Sequence, residues 1–156
     1  MKESATKSFL LRIHDHTFGV RSRVTRICTA LMNRAITHDN SKYSEKELDD
    51  HISMAEDMDG IKYGTDTYYA IKQKYESLSA EHFANNRHHP EHQPNGIDDM
   101  NLVDVIEMLC DWLTGSENTG TPVERSLEIN EERYHISPQL MKLLRNTIRD
   151  FDLERG

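Results

Sequence analysis

Only two cysteines, four prolines and one tryptophan occur among the 156 residues. Cys28 and Cys110 lie far apart, each among apolar neighbours, so there is no disulfide framework and both read as reduced core thiols. No run approaches the ~18 apolar residues that a membrane span needs. Met1-Lys2-Glu3-Ser4 lacks the apolar core of a signal peptide, and the expected location is cytoplasmic. Basic charge is short as well: 19 Lys and Arg stand against 27 Asp and Glu, a net charge of −8. Phosphate-backbone binding needs a basic face, which argues against nucleic acid as the main partner, although Arg21, Arg23, Arg26 and Arg34 form a local basic cluster. Strand-like alternation, internal repeats and low-complexity tracts are also missing.

What remains is helical. The expected architecture is all-α, a bundle of about six to seven helices in a single domain, 1–156, with roughly 70% of its unfolded surface buried. Residues 5 to 36 hold no Pro and carry an apolar stripe at helical spacing: Phe9, Ile13, His16, Val20, Val24, Ile27 and Leu31. Gly19 is a potential bend, and His16 takes a core-facing slot among hydrophobes. Ser44 and Glu47 make a capping box for a second helix to about Met58, ended near Gly60. A third helix is expected from Thr65 to Ser77, with Tyr68, Ile71 and Tyr75 inward. Ser79 caps a short fourth, Ala80 to Asn86. Asn101 caps a helix apolar around nearly its whole circumference, from Leu102 to Leu113, which places it inside the domain. Thr121-Pro122 and Ser137-Pro138 open the last two helices, the final stripe being Leu140, Leu143, Leu144, Ile148 and Phe151.

Chemistry concentrates elsewhere. His38 and Asp39 are adjacent, and both offer good donor atoms to a divalent transition metal, with the cation Lys42 three residues on. Four of nine histidines, His82, His88, His89 and His92, fall within eleven residues around a Pro- and Gly-rich loop. Asp104, Glu107 and Asp111 form the polar stripe of the otherwise apolar helix, and buried carboxylates need a cation or donors. Asp104 also suits a first helical turn through the helix dipole. The candidate ligands are therefore His16, His38, Asp39, His82, His88, His89 and Asp111. Glu107 and Asp104 are alternative acids to Asp111.

In this order the residues resemble the HD-domain metal-dependent phosphohydrolases, whose pattern is an early His, a His-Asp doublet and a distant Asp on a later helix. His38-Asp39-x-x-Lys42 is similar to their His-Asp-x-Gly-Lys stretch. His82 and His88-His89 resemble the extra histidines of the binuclear branch that includes the HD-GYP proteins. His-Asp-x-Ser-Lys, Asn86-x-His-His and Glu107-Met-x-x-Asp-Trp112 are also similar to stretches of an uncharacterised family of small phage and bacterial proteins. The resemblance implies an HD-like bundle holding two divalent ions (Mn, Fe, Ni or Zn) bridged by Asp39. Lys42 is then expected to neutralise a phosphoryl group, Asn86 or Arg87 to orient substrate, and Glu107 to fix a ligand histidine. The implied partner is a small phosphorylated substrate, a nucleotide or another phosphoester, with homo-oligomerisation left open. Gly-Tyr-Pro is absent, since Pro94-Asn95-Gly96-Ile97 stands there, so cyclic-di-GMP is not implied. Two rival expectations are an HD-fold di-iron oxygenase and a non-catalytic, metal-stapled interaction protein.

Overall fold

The computed structural model describes residues 2–62 and 65–154, with side chains from residue 4 onward. Among the described residues there are seven α-helices and no strand: α1 (Lys2–Thr37), α2 (Glu45–Met58), α3 (Asp66–Lys74), α4 (Glu76–Asn85), α5 (Leu102–Thr119), α6 (Val123–Tyr134) and α7 (Pro138–Asp150). Short 3-10 turns occupy Asn40–Tyr43, Pro90–His92 and Gly96–Asp99. The all-α expectation holds.

Local chemistry sets most helix starts. Ser44 accepts from the Glu47 amide, Thr65 from the Tyr68 amide, and Ser137 from the Leu140 amide with Pro138 behind it. Asn101 and Asp104 close a full capping box on α5. Two starts differ from expectation. The chain turns at Tyr75 (φ −103, ψ 26), so α4 begins at Glu76 and Ser79 lies inside it. Pro122 rather than Thr121 sits at the N-cap of α6, and its extended ψ of 136° delays the first helical residue to Val123.

Contacts divide the chain into two units, one up to Thr37 and one from His38 onward. The first is α1 alone, which runs unbroken through Gly19; the Arg23 guanidinium caps the Gly19 carbonyl at 3.0 Å. Phe9, Ile13, His16, Val20, Val24 and Ile27 are exposed and only Leu31 is half-buried, because nothing else belongs to that unit to cover them.

The second unit has its core where α5, α6 and α7 meet. Met108, Leu109, Leu127 and Met141 are almost wholly buried, with Val105, Leu113, Ile136, Leu144 and Ile148 around them. On α7 the buried face is Met141, Leu144 and Ile148, whereas Leu143 and Phe151 are exposed; the apolar arc is wider than the face the core needs. The same holds for α5, on which Leu102 and Cys110 face outward. Cys28 and Cys110 are thus exposed free thiols, not core ones. No helix among the described residues is long and apolar enough to cross a membrane.

Candidate metal centre

The centre is built from three pieces of the second unit. Asp39 takes a left-handed backbone (φ 55°, ψ 18°), which a non-glycine residue adopts at a cost of about 1–2 kcal/mol, and turns the chain into the Asn40–Tyr43 turn. Glu107 and Asp111, one turn apart on α5, lie on the same face. His82 is in the last turn of α4, and His88 and His89 follow in the loop. That loop is pinned from within: His92 Nδ1 donates to the Phe83 carbonyl at 3.0 Å, and Pro90 is buried.

These pieces aim imidazole nitrogens at one carboxylate. Asp39 Oδ1 lies 3.3 Å from His82 Nε2 and 3.5 Å from His88 Nε2, and Asp39 Oδ2 lies 3.6 Å from His38 Nε2. His38 Nε2 is also 3.7 Å from Asp111 Oδ1, and His89 Nε2 is 3.0 Å from His82 Nε2. Two sets of donors result, Asp39 with His82, His88 and His89, and Asp39 with His38, His88 and Asp111; within each, all ligand atoms lie within 4.8 Å of one another. Two nitrogens each about 2.1 Å from a shared cation sit roughly 3 Å apart when the angle between them is a right angle, so the His82–His89 spacing suits a common ion. A single Nε2 lone pair serves one cation, whereas a carboxylate has two oxygens. Asp39 is therefore the residue able to bridge.

The far side of three of the four rings, those of His38, His82 and His88, faces an acid. Glu107 Oε1 is 3.0 Å from His38 Nδ1 and 3.3 Å from His88 Nδ1. Glu47 Oε2 is 3.5 Å from His82 Nδ1. The Asn86 amide donates to the His82 carbonyl (2.8 Å) and to Ser41 Oγ (2.8 Å), and Ser41 Oγ donates to Glu47 (3.0 Å). Asn86 Nδ2 also lies 3.1 Å from His82 Nδ1, so that nitrogen is held on the far side by Asn86 and Glu47 while Nε2 points at Asp39. A carboxylate behind a ligand imidazole fixes its tautomer and orientation in this way.

Burial and charge prepare the donors. Desolvation, then the charge of His89, lowers His88 to about 4; desolvation, then His82, does the same for His89. Both are neutral donors at pH 7. Burial raises Asp39, but the nearby His82 ring and the Lys42 ammonium outweigh it and hold the carboxylate far below its ordinary range. Asp111 behaves alike, with the nearby His38 ring prevailing over burial. The Asp111 carboxylate, 3.7 Å away, is the main cause that lifts His38 to about 9 against burial, with Glu107 helping, so this ring must give up a proton to bind a cation. Two buried atoms at the heart of the cluster, Asp39 Oδ1 and His88 Nε2, have no hydrogen-bond partner. Such a pair facing each other is the mark of a site that a cation completes.

Six of the seven ligands expected from the sequence converge here. The seventh, His16, lies on α1, in the first unit. Lys42 Nζ is 2.6 Å from Asp39 Oδ2, so its charge acts first on the bridging acid. Asn86 is buried and holds His82 in place, and Arg87 grips Asp104 through Nε (3.3 Å) and Nη2 (3.0 Å), tying the loop to the cap of α5. Asp104 is thus part of a cap and a clamp, while Asp111 is the acid of α5 in the donor set.

Glu47 and His51 were not anticipated. Glu47 is 1% exposed; burial raises its pKa, yet hydrogen bonds from Asn85, Ser41 and His82 prevail and keep it below the ordinary range. His51 Nε2 lies 3.5 Å from its Oε2, and Glu47, His51 and His82 make a third, smaller group of metal-capable donors. Their i, i+4 spacing on α2, eight residues after the His-Asp doublet, is the sequence signal by which they could be found. Glu47→Gln keeps the shape and removes the charge. It is expected to weaken metal binding by about 10–100-fold, the usual cost of losing an outer anchor. A competition titration against a chelator checks this, and an unchanged affinity would show that His82 needs no anchor.

A cavity of about 400 Å³ opens beside the centre, lined by His89 and Asp111 together with Lys72, Glu76, Phe83, Trp112 and Arg133. A family model described as a family of unknown function matches residues 5–150. No curated protein and no solved structure matches the chain.

Proposed function

The chain belongs to that family, DUF5662, and we propose that it is a metal-dependent phosphohydrolase acting on a nucleotide or another small phosphoester. What carries the proposal is the convergence of His38, His82, His88 and His89 on Asp39, whose Oδ1 is buried without a partner. The donor set is rich in imidazole, which favours Mn, Fe, Ni or Zn over Mg. With Asp39 shared between the two sets, a pair of ions is the natural load, and the resemblance to HD-domain phosphohydrolases points the same way.

A pair of such ions supplies an acidified water and polarises a phosphoryl oxygen. The protein's own residues do the rest. Asp39 and Asp111 supply negative charge that holds the ions. Glu107 and Glu47 keep the rings turned with Nε2 inward. Lys42, bonded to Asp39, places a positive charge where a phosphoryl oxygen would lie, and such electrostatic help is the dominant contribution in phosphoryl chemistry. The buried imidazoles exclude solvent on one side, while the 400 Å³ cavity leaves the other side open to a small molecule.

The test uses protein made without a polyhistidine tag. It should contain at least about one equivalent of transition metal by elemental analysis, towards two for a two-ion site. Stripping with a chelator should lower Tm, since a ligand at about 100 times its Kd adds about 2.7 kcal/mol to the folded state. Readdition of Mn or Zn should restore both Tm and hydrolysis of bis(p-nitrophenyl) phosphate. Less than one equivalent, with no recovery on soaking, overturns the proposal.

A further inference from the structure

The cavity beside the centre carries positive charge that the metal ligands do not use. Lys72 on α3 and Arg133 at the end of α6 both line it, together with His89, Asp111 and the exposed Glu76. Arg133 is already partly neutralised: its Nη2 is 2.7 Å from Glu91 Oε1, and its guanidinium lies 4.9 Å over the Tyr134 ring. Lys72 differs. Among the described residues it makes no ion pair, although it is half-buried. Burial foremost, then the charges of Arg133 and Lys42, lowers its pKa, so the ammonium sits in a field that already favours an anion.

A half-buried ammonium without a counter-ion is free to pair with an anion that enters its cavity. Lys72 lines the same cavity as His89 and Asp111 of the candidate centre, so an anion bound there lies within reach of both. The cavity volume falls at the small end of ligand pockets, roughly 300–1,000 Å³, which admits a metabolite and not a polymer. Phe83 and Trp112 give it apolar surface for the body of such a molecule.

Building on the hydrolase proposal above, we infer that Lys72, backed by Arg133, is a second anion-binding position. The substrate is then a small phosphoester with a further anionic group, a carboxylate or a second phosphate, on the part that does not react. Its reacting phosphoryl group lies at the metal centre near Lys42, and the second anion lies in the cavity at Lys72. Lys72 decides specificity; it takes no part in bond breaking.

The experiment measures binding, so that it does not depend on turnover. Metal-loaded protein is titrated calorimetrically with methylphosphonate, which has one anionic group, and with phosphonoacetate, 3-phosphonopropionate and 4-phosphonobutyrate, which add a carboxylate at increasing reach. At least one phosphonocarboxylate is expected to bind about tenfold or more tightly than methylphosphonate, the worth of one charge-assisted hydrogen bond. In Lys72→Gln the ratio should collapse to within about twofold. The inference is overturned if no phosphonocarboxylate exceeds methylphosphonate, or if the ratio survives in Lys72→Gln. Metal analysis of the same sample separates the two levels. Protein that holds metal and binds every phosphonate equally keeps the hydrolase proposal and loses the second anion position, whereas protein that holds no metal and binds none loses both.

Discussion

Asp39→Ala should empty both cation positions at once, whereas His89→Ala should empty one. Asp39 belongs to both donor sets and is the residue with two oxygens to share between them; His89 belongs to one set and offers a single nitrogen. Loss of the bridging acid also leaves His38 and His88 without the negative charge they face at 3.6 and 3.5 Å. Elemental analysis after reconstitution is therefore expected to fall from about two equivalents in the wild type to near zero in Asp39→Ala and to about one in His89→Ala. Hydrolysis of bis(p-nitrophenyl) phosphate should drop to background in the first. Far-UV circular dichroism should stay helical in both, because the hydrophobic core lies among α5, α6 and α7 and not at Asp39. A full equivalent of metal retained by Asp39→Ala would show that the two sets do not share this acid, and the bridged arrangement would fall.

Much of this centre was legible before any coordinates, and the reasons differ residue by residue. His88 and His89 stood out because a polar loop has little cause to concentrate imidazoles, and Asp111 because an acid deep in an apolar helix needs a partner. Glu47 was hidden by a sufficient local explanation. A glutamate three residues after Ser44 reads as half of a capping box, yet only the Ser44 side of that box forms; the Glu47 side chain turns instead to Ser41, Asn85 and His82. Arg87 went the other way: beside two histidines it looked like a substrate ligand, and its partner is Asp104, seventeen residues away. Lys72 and Arg133 stand in unremarked helical stretches, and only folding brings them to one cavity.

The helix stripes carry a similar lesson. Periodicity reports that one face of a helix is apolar, but not how much of that arc is covered or by what. On α1 the stripe from Phe9 to Ile27 is well formed, yet a unit of one helix has nothing of its own to cover it. On α7 a window of one or two positions separates buried Met141 and Leu144 from exposed Leu143. Helix existence and caps follow from nearest-neighbour chemistry and were therefore readable. Which turn of an apolar arc is sealed depends on partners far along the chain.

Met108→Ala tests the layer beneath the site. Met108 is 0% exposed at the centre of the α5–α6–α7 core, one position from Glu107, so shortening it leaves a void that its packed neighbours Leu109, Leu127 and Met141 can fill only in part. The expected cost is about 2–5 kcal/mol, or on the order of 10 °C in Tm. The metal count is expected to stay at the wild-type value below the transition. Glu107 and Asp111 are set by the helix backbone and by their histidine partners, not by the thioether. Denaturant melts with and without metal read both quantities from one sample. A loss under about 1 kcal/mol would mean the core closes over the void. A loss of metal at full helicity would mean that core packing, and not only the acids behind the rings, holds the donors in register.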